Sequence, residues 1–107
     1  MSQQLPKPFE AIGRDYPDVM KAYEQLASAA HSAGPLDERT RRLVKLAIAV
    51  GARLEGAVRS HVNQAKQAGV SDAEIDHVIL LALTTIGLPS TVAARTWAAD
   101  VAADDQR

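Results

Sequence analysis

Apolar residues recur at three- and four-residue spacing along most of the chain, and that period belongs to helices. The first clear run opens near Pro17, where a missing N–H costs nothing in a first turn. Val19, Tyr23, Leu26, Ala27 and Ala30 form its stripe, and Gly34 is placed to end it through a left-handed cap. The second opens at Asp37, a good N-cap, with Glu38 suited to the positive helix end. Leu43, Leu46, Ala47 and Val50 make its inner stripe. Gly51 and Gly56 then bracket a weak point, because glycine disfavours a helix interior, and a break is predicted there. The third helix carries Val58, His61, Val62, Ala65 and Ala68 on one face and stops at Gly69.

Ser71-Asp72-Ala73-Glu74 matches a capping box, the sharpest boundary in the chain. The fourth helix, from about Asp72 to Ile86, is apolar nearly all round, with Ile75, Val78, Ile79, Leu80, Leu81, Ala82 and Leu83. A small bundle cannot bury every face of one helix within a monomer. This helix is therefore central, or part of it lies in a subunit interface. The fifth runs from about Pro89 through Val92, Thr96, Trp97 and Val101. No strand-like alternation interrupts the pattern. The chain reads as all-α, about five helices. Residues 1–15 are expected to be loosely ordered, with Phe9 and Ile12 able to pack on a neighbour; residues 16–103 form the helical domain, and 104–107 are a frayed tail.

Composition narrows the function without naming it. The 107 residues suffice for one domain and one core. Twelve Lys and Arg stand against thirteen Asp and Glu, a net charge of -1, so no basic footprint for nucleic acid is present. The N-terminal residues lack the pattern of a secretory signal, and the apolar run Val78 to Leu83 is too short to span a bilayer. A cytoplasmic protein that binds neither nucleic acid nor membrane is the expectation. No cysteine occurs, so disulfides, zinc–thiolate sites and thiol catalysis are excluded for this chain.

The candidate chemistry centres on one stretch. Gly51-Ala52-Arg53-Leu54-Glu55-Gly56-Ala57-Val58-Arg59-Ser60-His61 has the frame of a helical Cys-x-x-Cys-x-x-x-His motif. Leu54 and Ala57 stand at the cysteine positions and His61 at the histidine. This stretch, with Leu36-Asp37-Glu38-Arg39-Thr40-Arg41-Arg42-Leu43-Val44-Lys45-Leu46-Ala47-Ile48-Ala49 before it and Ala68-Gly69-Val70-Ser71 after it, resembles the carboxymuconolactone decarboxylase-like family, which includes the alkyl hydroperoxidase D proteins. The likeness covers roughly residues 16 to 103.

That resemblance implies an all-α fold in intertwined dimers, trimers or hexamers. Redox members of the family use two cysteines, the following histidine and a glutamate one helix earlier. Carried over position by position, His61 alone survives, and the glutamate position falls on Arg42. Peroxide reduction needs a thiolate, which the thioethers of Met1 and Met20 cannot supply. The lactone-decarboxylase members carry a glutamate one turn before the histidine; that position is Ala57 here, and Glu55 lies on a different face.

His61 reads two ways: as a general acid or base near neutral pH, or as a structural histidine on an apolar face. Arg42 shares a stripe with Lys45 and Arg53 and reads either as the holder of a substrate carboxylate or as part of a solvated basic face. Glu55 is read chiefly as a helix-end charge. Arg59 and Ser60 read as surface or interface residues, and Trp97 and Tyr23 as packing anchors. His31 and His77 are too scattered to build a metal site with His61, and no cofactor is implied. Two functions follow. One is a cofactor-free enzyme of decarboxylase or isomerase type acting on a small anionic lactone or keto acid, with His61 moving a proton and Arg42 holding the anion. The other is a non-catalytic homo-oligomeric scaffold that binds a ligand or partner.

Overall fold

A computed structural model describes residues 7–105, with side-chain surroundings for residues 9–101. Seven helical segments and no strand occur among them: α1 (Lys7–Asp15), α2 (Pro17–His31), α3 (Glu38–Gly51), α4 (Glu55–Gln67), α5 (Asp72–Leu81), the single turn α6 (Leu83–Ile86) and α7 (Leu88–Asp105). The all-α reading holds. The chain divides into two compact units, residues 1–36 and 37–107.

In the first unit, where a loosely ordered segment was expected over residues 1–15, Lys7–Asp15 form the helix α1, with Phe9 and Ile12 at helical spacing. Residues 1–6 lie outside the described part, as do residues 106–107 of the tail. The Tyr16 N–H bonds the Ile12 carbonyl at 2.7 Å, and Pro17 starts α2 at once, where its missing donor is harmless. No α2 residue is buried; Val19, Tyr23 and Leu26 all stand exposed. α2 closes at Ser32, whose N–H bonds the Ser28 carbonyl at 3.1 Å. The left-handed cap expected at Gly34 is not used, since Gly34 does not have a positive φ.

The second unit holds the core. Asp37 caps α3 as its sequence indicates, accepting from the Thr40 N–H at 2.8 Å. Leu46, Ala49 and Val50 then face Val58, Val62 and Ala65 of α4. These two helices form the most extensive pairing in the unit, and α7 also packs against α4, with Ala94 buried. The α3 stripe is rotated from the sequence reading, with Ala49 inside and Ala47 outside. At the α4–α5 junction Gly69, φ 87°, turns the chain, Val70 is buried, and the Ser71–Glu74 capping box forms with both reciprocal bonds present.

α5 is shorter than its apolar run. The Ala82 N–H bonds the Ile79 carbonyl three residues back, a tightened turn that ends the helix and leaves α6 separate. Ile75 and Ile79 reach the core, whereas Leu80 and Leu81 do not. Gly87, φ 89°, then admits α7, and the buried Thr91 hydroxyl donates to the Gly87 carbonyl at 2.8 Å. None of the described helices is long and apolar enough to cross a membrane.

Leu46 is wholly buried at the centre of this unit. Leu46→Ala should lower the unfolding free energy by about 2–5 kcal/mol in urea titrations, the usual range for a leucine whose site cannot collapse. A loss under about 1 kcal/mol would contradict the packing described.

Candidate functional site

The α3–α4 pairing sets one helix face against the other, and the candidate residues lie on those faces. On α3, Glu38, Arg42 and Lys45 follow at helical spacing. The Arg42 Nε donates to Glu38 Oε1 at 2.8 Å. Glu38 also receives Arg41 through Oε2 at 3.0 Å, so one carboxylate serves two guanidinium groups. Across the helix pair, Arg42 Nη1 donates to Gln64 Oε1 at 2.5 Å, and Gln64 Nε2 donates to Ser60 Oγ at 3.0 Å. The result is a polar chain from Glu38 through Arg42 and Gln64 to Ser60. Arg42 Nη2 bonds no protein acceptor among the described residues.

His61 sits on α4 between these contacts and the core. Val58, Val62 and Ala65 on its own face are buried, and His61 is half-buried beside them. Its Nδ1 is shielded from solvent and has no hydrogen-bond partner. Burial holds the imidazole below its ordinary pKa of 6.5, with the charges of Lys45 and then Arg42 acting in the same direction. Charging the ring would also place an N–H at Nδ1 with nothing to accept it. The neutral imidazole, the form that takes up a proton, is therefore the resting state at pH 7.

Leu54 and Ala57, the positions the resemblance aligns with cysteines, differ in setting. Leu54 stands exposed at the N-cap of α4, while Ala57 lies one turn on and packs against the core. Glu55 is engaged at the surface: Arg59 donates to it at 3.2 Å and to Asp100 of α7 at 3.0 Å. Trp97 rests partly buried against the core, and Tyr23 in the first unit is exposed. His77 lies on the exposed side of α5. Among the described residues no group of three or more His, Cys, Asp and Glu could hold a metal ion.

Clefts open among the described residues of this unit. One of about 650 Å³ lies between α5 and α7, with Val62, Ile75 and Ile79 beneath and the Asp76–Arg95 ion pair, 2.7 Å, at its rim. A smaller one of about 230 Å³ is lined by Arg53, Pro89, Ser90, Ala93 and Trp97. Neither is lined by His61 or Arg42. Sequence reading missed Gln64 as the bridge to Arg42; its four-residue spacing from Ser60 was the available signal.

The sign of the pH effect follows from the lowered value. Above the ordinary histidine pKa, folded and unfolded chains are both deprotonated at this ring, and its contribution is complete. As pH falls through 6.5 the unfolded chain takes a proton that the folded one refuses, and stability is lost. NMR titration of the ring should place the His61 midpoint below that of a model imidazole. Arg42→Gln should raise the midpoint only in part, because burial is the larger cause. A midpoint at or above the ordinary value would contradict this environment.

Residues 17–100 match the model of the carboxymuconolactone decarboxylase family. An uncharacterized protein of Haemophilus influenzae is 36% identical over 64 residues, a segment that makes up 60% of this chain and 57% of that relative. The chain thus spans little more than half the length of the curated relative it matches. With the family model covering α2 to α7, from the N-terminal stripe to the Ala-rich last helix, the chain belongs to the carboxymuconolactone decarboxylase family.

Proposed function

We propose that this family member runs non-redox acid–base chemistry on a small anionic molecule, an unsaturated lactone acid or a keto acid, without a cofactor. The observation that carries the reading is the half-buried, neutral His61 flanked by Arg42 and Lys45 in a chain with no cysteine. His61 takes or returns the proton. Arg42, oriented by Glu38 and Gln64, offers Nη2 to the substrate's negative group. Decarboxylation and isomerisation fit this pair, since both build up charge next to a carboxylate. The setting we take for it is the cytoplasm.

The protein works as a homo-oligomer in this reading. Val44 and Ile48, one turn apart on α3, are exposed, as are Leu80, Leu81 and Leu88. Apolar surface of this kind marks association. A second reading, a non-catalytic oligomeric scaffold, is favoured by two observations: Arg42 is already held by two protein acceptors, and neither cleft described above is lined by His61 or Arg42.

Turnover of unsaturated γ-lactone acids distinguishes them. His61→Asn should reduce kcat by about 10²–10⁴-fold, the usual contribution of a positioned proton-transfer group. Arg42→Gln should act mainly on KM. Unchanged turnover in His61→Asn removes that residue from the mechanism, and a wild-type protein inert across the series supports the scaffold. Light scattering at micromolar concentration should report an assembly; a monomer would contradict it.

A further inference from the structure

The reversal between α3 and α4 is closed by two bonds. The Arg53 N–H reaches the Val50 carbonyl at 3.0 Å, and the Leu54 N–H reaches the Ala49 carbonyl at 3.2 Å. This pair is the Schellman arrangement, which needs a left-handed residue at its centre. The end of α4 uses the same device: the Gly69 N–H bonds the Lys66 carbonyl and the Val70 N–H bonds the Ala65 carbonyl, both at 3.0 Å. There the left-handed residue is glycine, which suits it. At the α3 end it is Arg53, φ 58°, the one non-glycine residue with positive φ among those described. An L-side chain is disfavoured in that conformation, and arginine is not among the residues that relieve it. Glycine would close this turn better, so what Arg53 adds is its side chain.

That side chain is also unusual in its charge balance. Every other described arginine has a carboxylate within ion-pair range: Arg14 has Asp15, Arg39 has Glu74, Arg41 and Arg42 have Glu38, Arg59 has Glu55 and Asp100, and Arg95 has Asp76. Arg53 has none among the described residues. Its Nε donates at 2.9 Å to the Ser90 hydroxyl in the first turn of α7, which fixes the plane of the guanidinium. It forms one wall of the smaller cleft, whose other walls include Trp97, Ala93 and Pro89.

We propose that this cleft is a binding site for a small planar carboxylate, aromatic or conjugated, separate from His61. The carboxylate takes the unused terminal nitrogens of Arg53 in two parallel hydrogen bonds. The planar body lies against the Trp97 indole and the apolar walls, where offset stacking favours a flat ring. The positive end of α7 supports the same charge. Ser90 orients the guanidinium and leaves its terminal nitrogens free.

Trp97 is the single tryptophan of the chain, so its indole N–H gives one NMR signal from a residue that lines the cleft. Titration with benzoate at low ionic strength should move that signal saturably, while benzamide, equal in shape and uncharged, should not move it. Cyclohexanecarboxylate should bind more weakly than benzoate. Arg53→Gly should weaken benzoate binding by about tenfold or more, the scale of a lost charged pair of hydrogen bonds, while its Tm stays at or above that of wild type because glycine fits the turn. Arg53→Lys, which keeps charge and loses the fork, should fall between. His61→Asn should leave the titration unchanged, which separates this result from the fate of the acid–base reading. Absence of a saturable benzoate shift, equal response to benzamide, or wild-type binding by Arg53→Gly would overturn the proposal.

Discussion

The side-by-side pairing of α3 and α4 is the constraint on which the rest of the second unit depends. Three residues, Ala52 to Leu54, reverse the chain. The reversal brings Leu46, Ala49 and Val50 against Val58, Val62 and Ala65, and those six make up most of the buried interior. The same reversal brings Arg42 to Gln64 and leaves His61 half covered. Hydrophobic burial is non-directional, so it does not by itself choose which polar groups meet. The left-handed turn and the helix register choose them. α5 and α7 then close over a pair whose polar edge is already arranged.

Much of this was legible because helix ends have chemical signatures. Asp37 and the Ser71–Glu74 box announce themselves by residue type and spacing, and each forms the bond its chemistry dictates. Gly69 likewise reads as a stop and has the conformation that only glycine takes easily. The break at Gly51–Gly56 was legible as a break, but not its geometry. The left-handed residue proved to be Arg53, which no propensity points to, while Gly34, which propensity favours, does not adopt it. The end of α5 at Ala82 had no signature either, since alanine and leucine both continue a helix readily. Of the candidate site, His61 and Arg42 were singled out by their positions in the motif frame. The Gln64 bridge was not, because a contact between residues 22 apart depends on the rotation of two helices about their axes.

Without a cysteine, the α3–α4 frame has no thiol chemistry to offer. Leu54 stands at the N-cap position of α4 with an exposed side chain that makes no capping bond, and Ala57 fills a place at the edge of the core. A histidine left in such a setting retains one capacity, the exchange of a proton, and its surroundings bias it toward the unprotonated form. The arginines are mostly neutralised by near neighbours along their own helix or across to the next. Electrostatic capacity is therefore concentrated at few points despite a nearly balanced net charge.

Three of the buried core positions, Ala49, Ala65 and Ala94, are alanines, one each on α3, α4 and α7. Side chains this short let neighbouring helix axes approach toward the lower limit of the ordinary separation, about 8 Å. At such spacing the backbones themselves act as the packing surface. A methyl group there is both filler and spacer, so enlargement at any of the three would wedge two cylinders apart along their length.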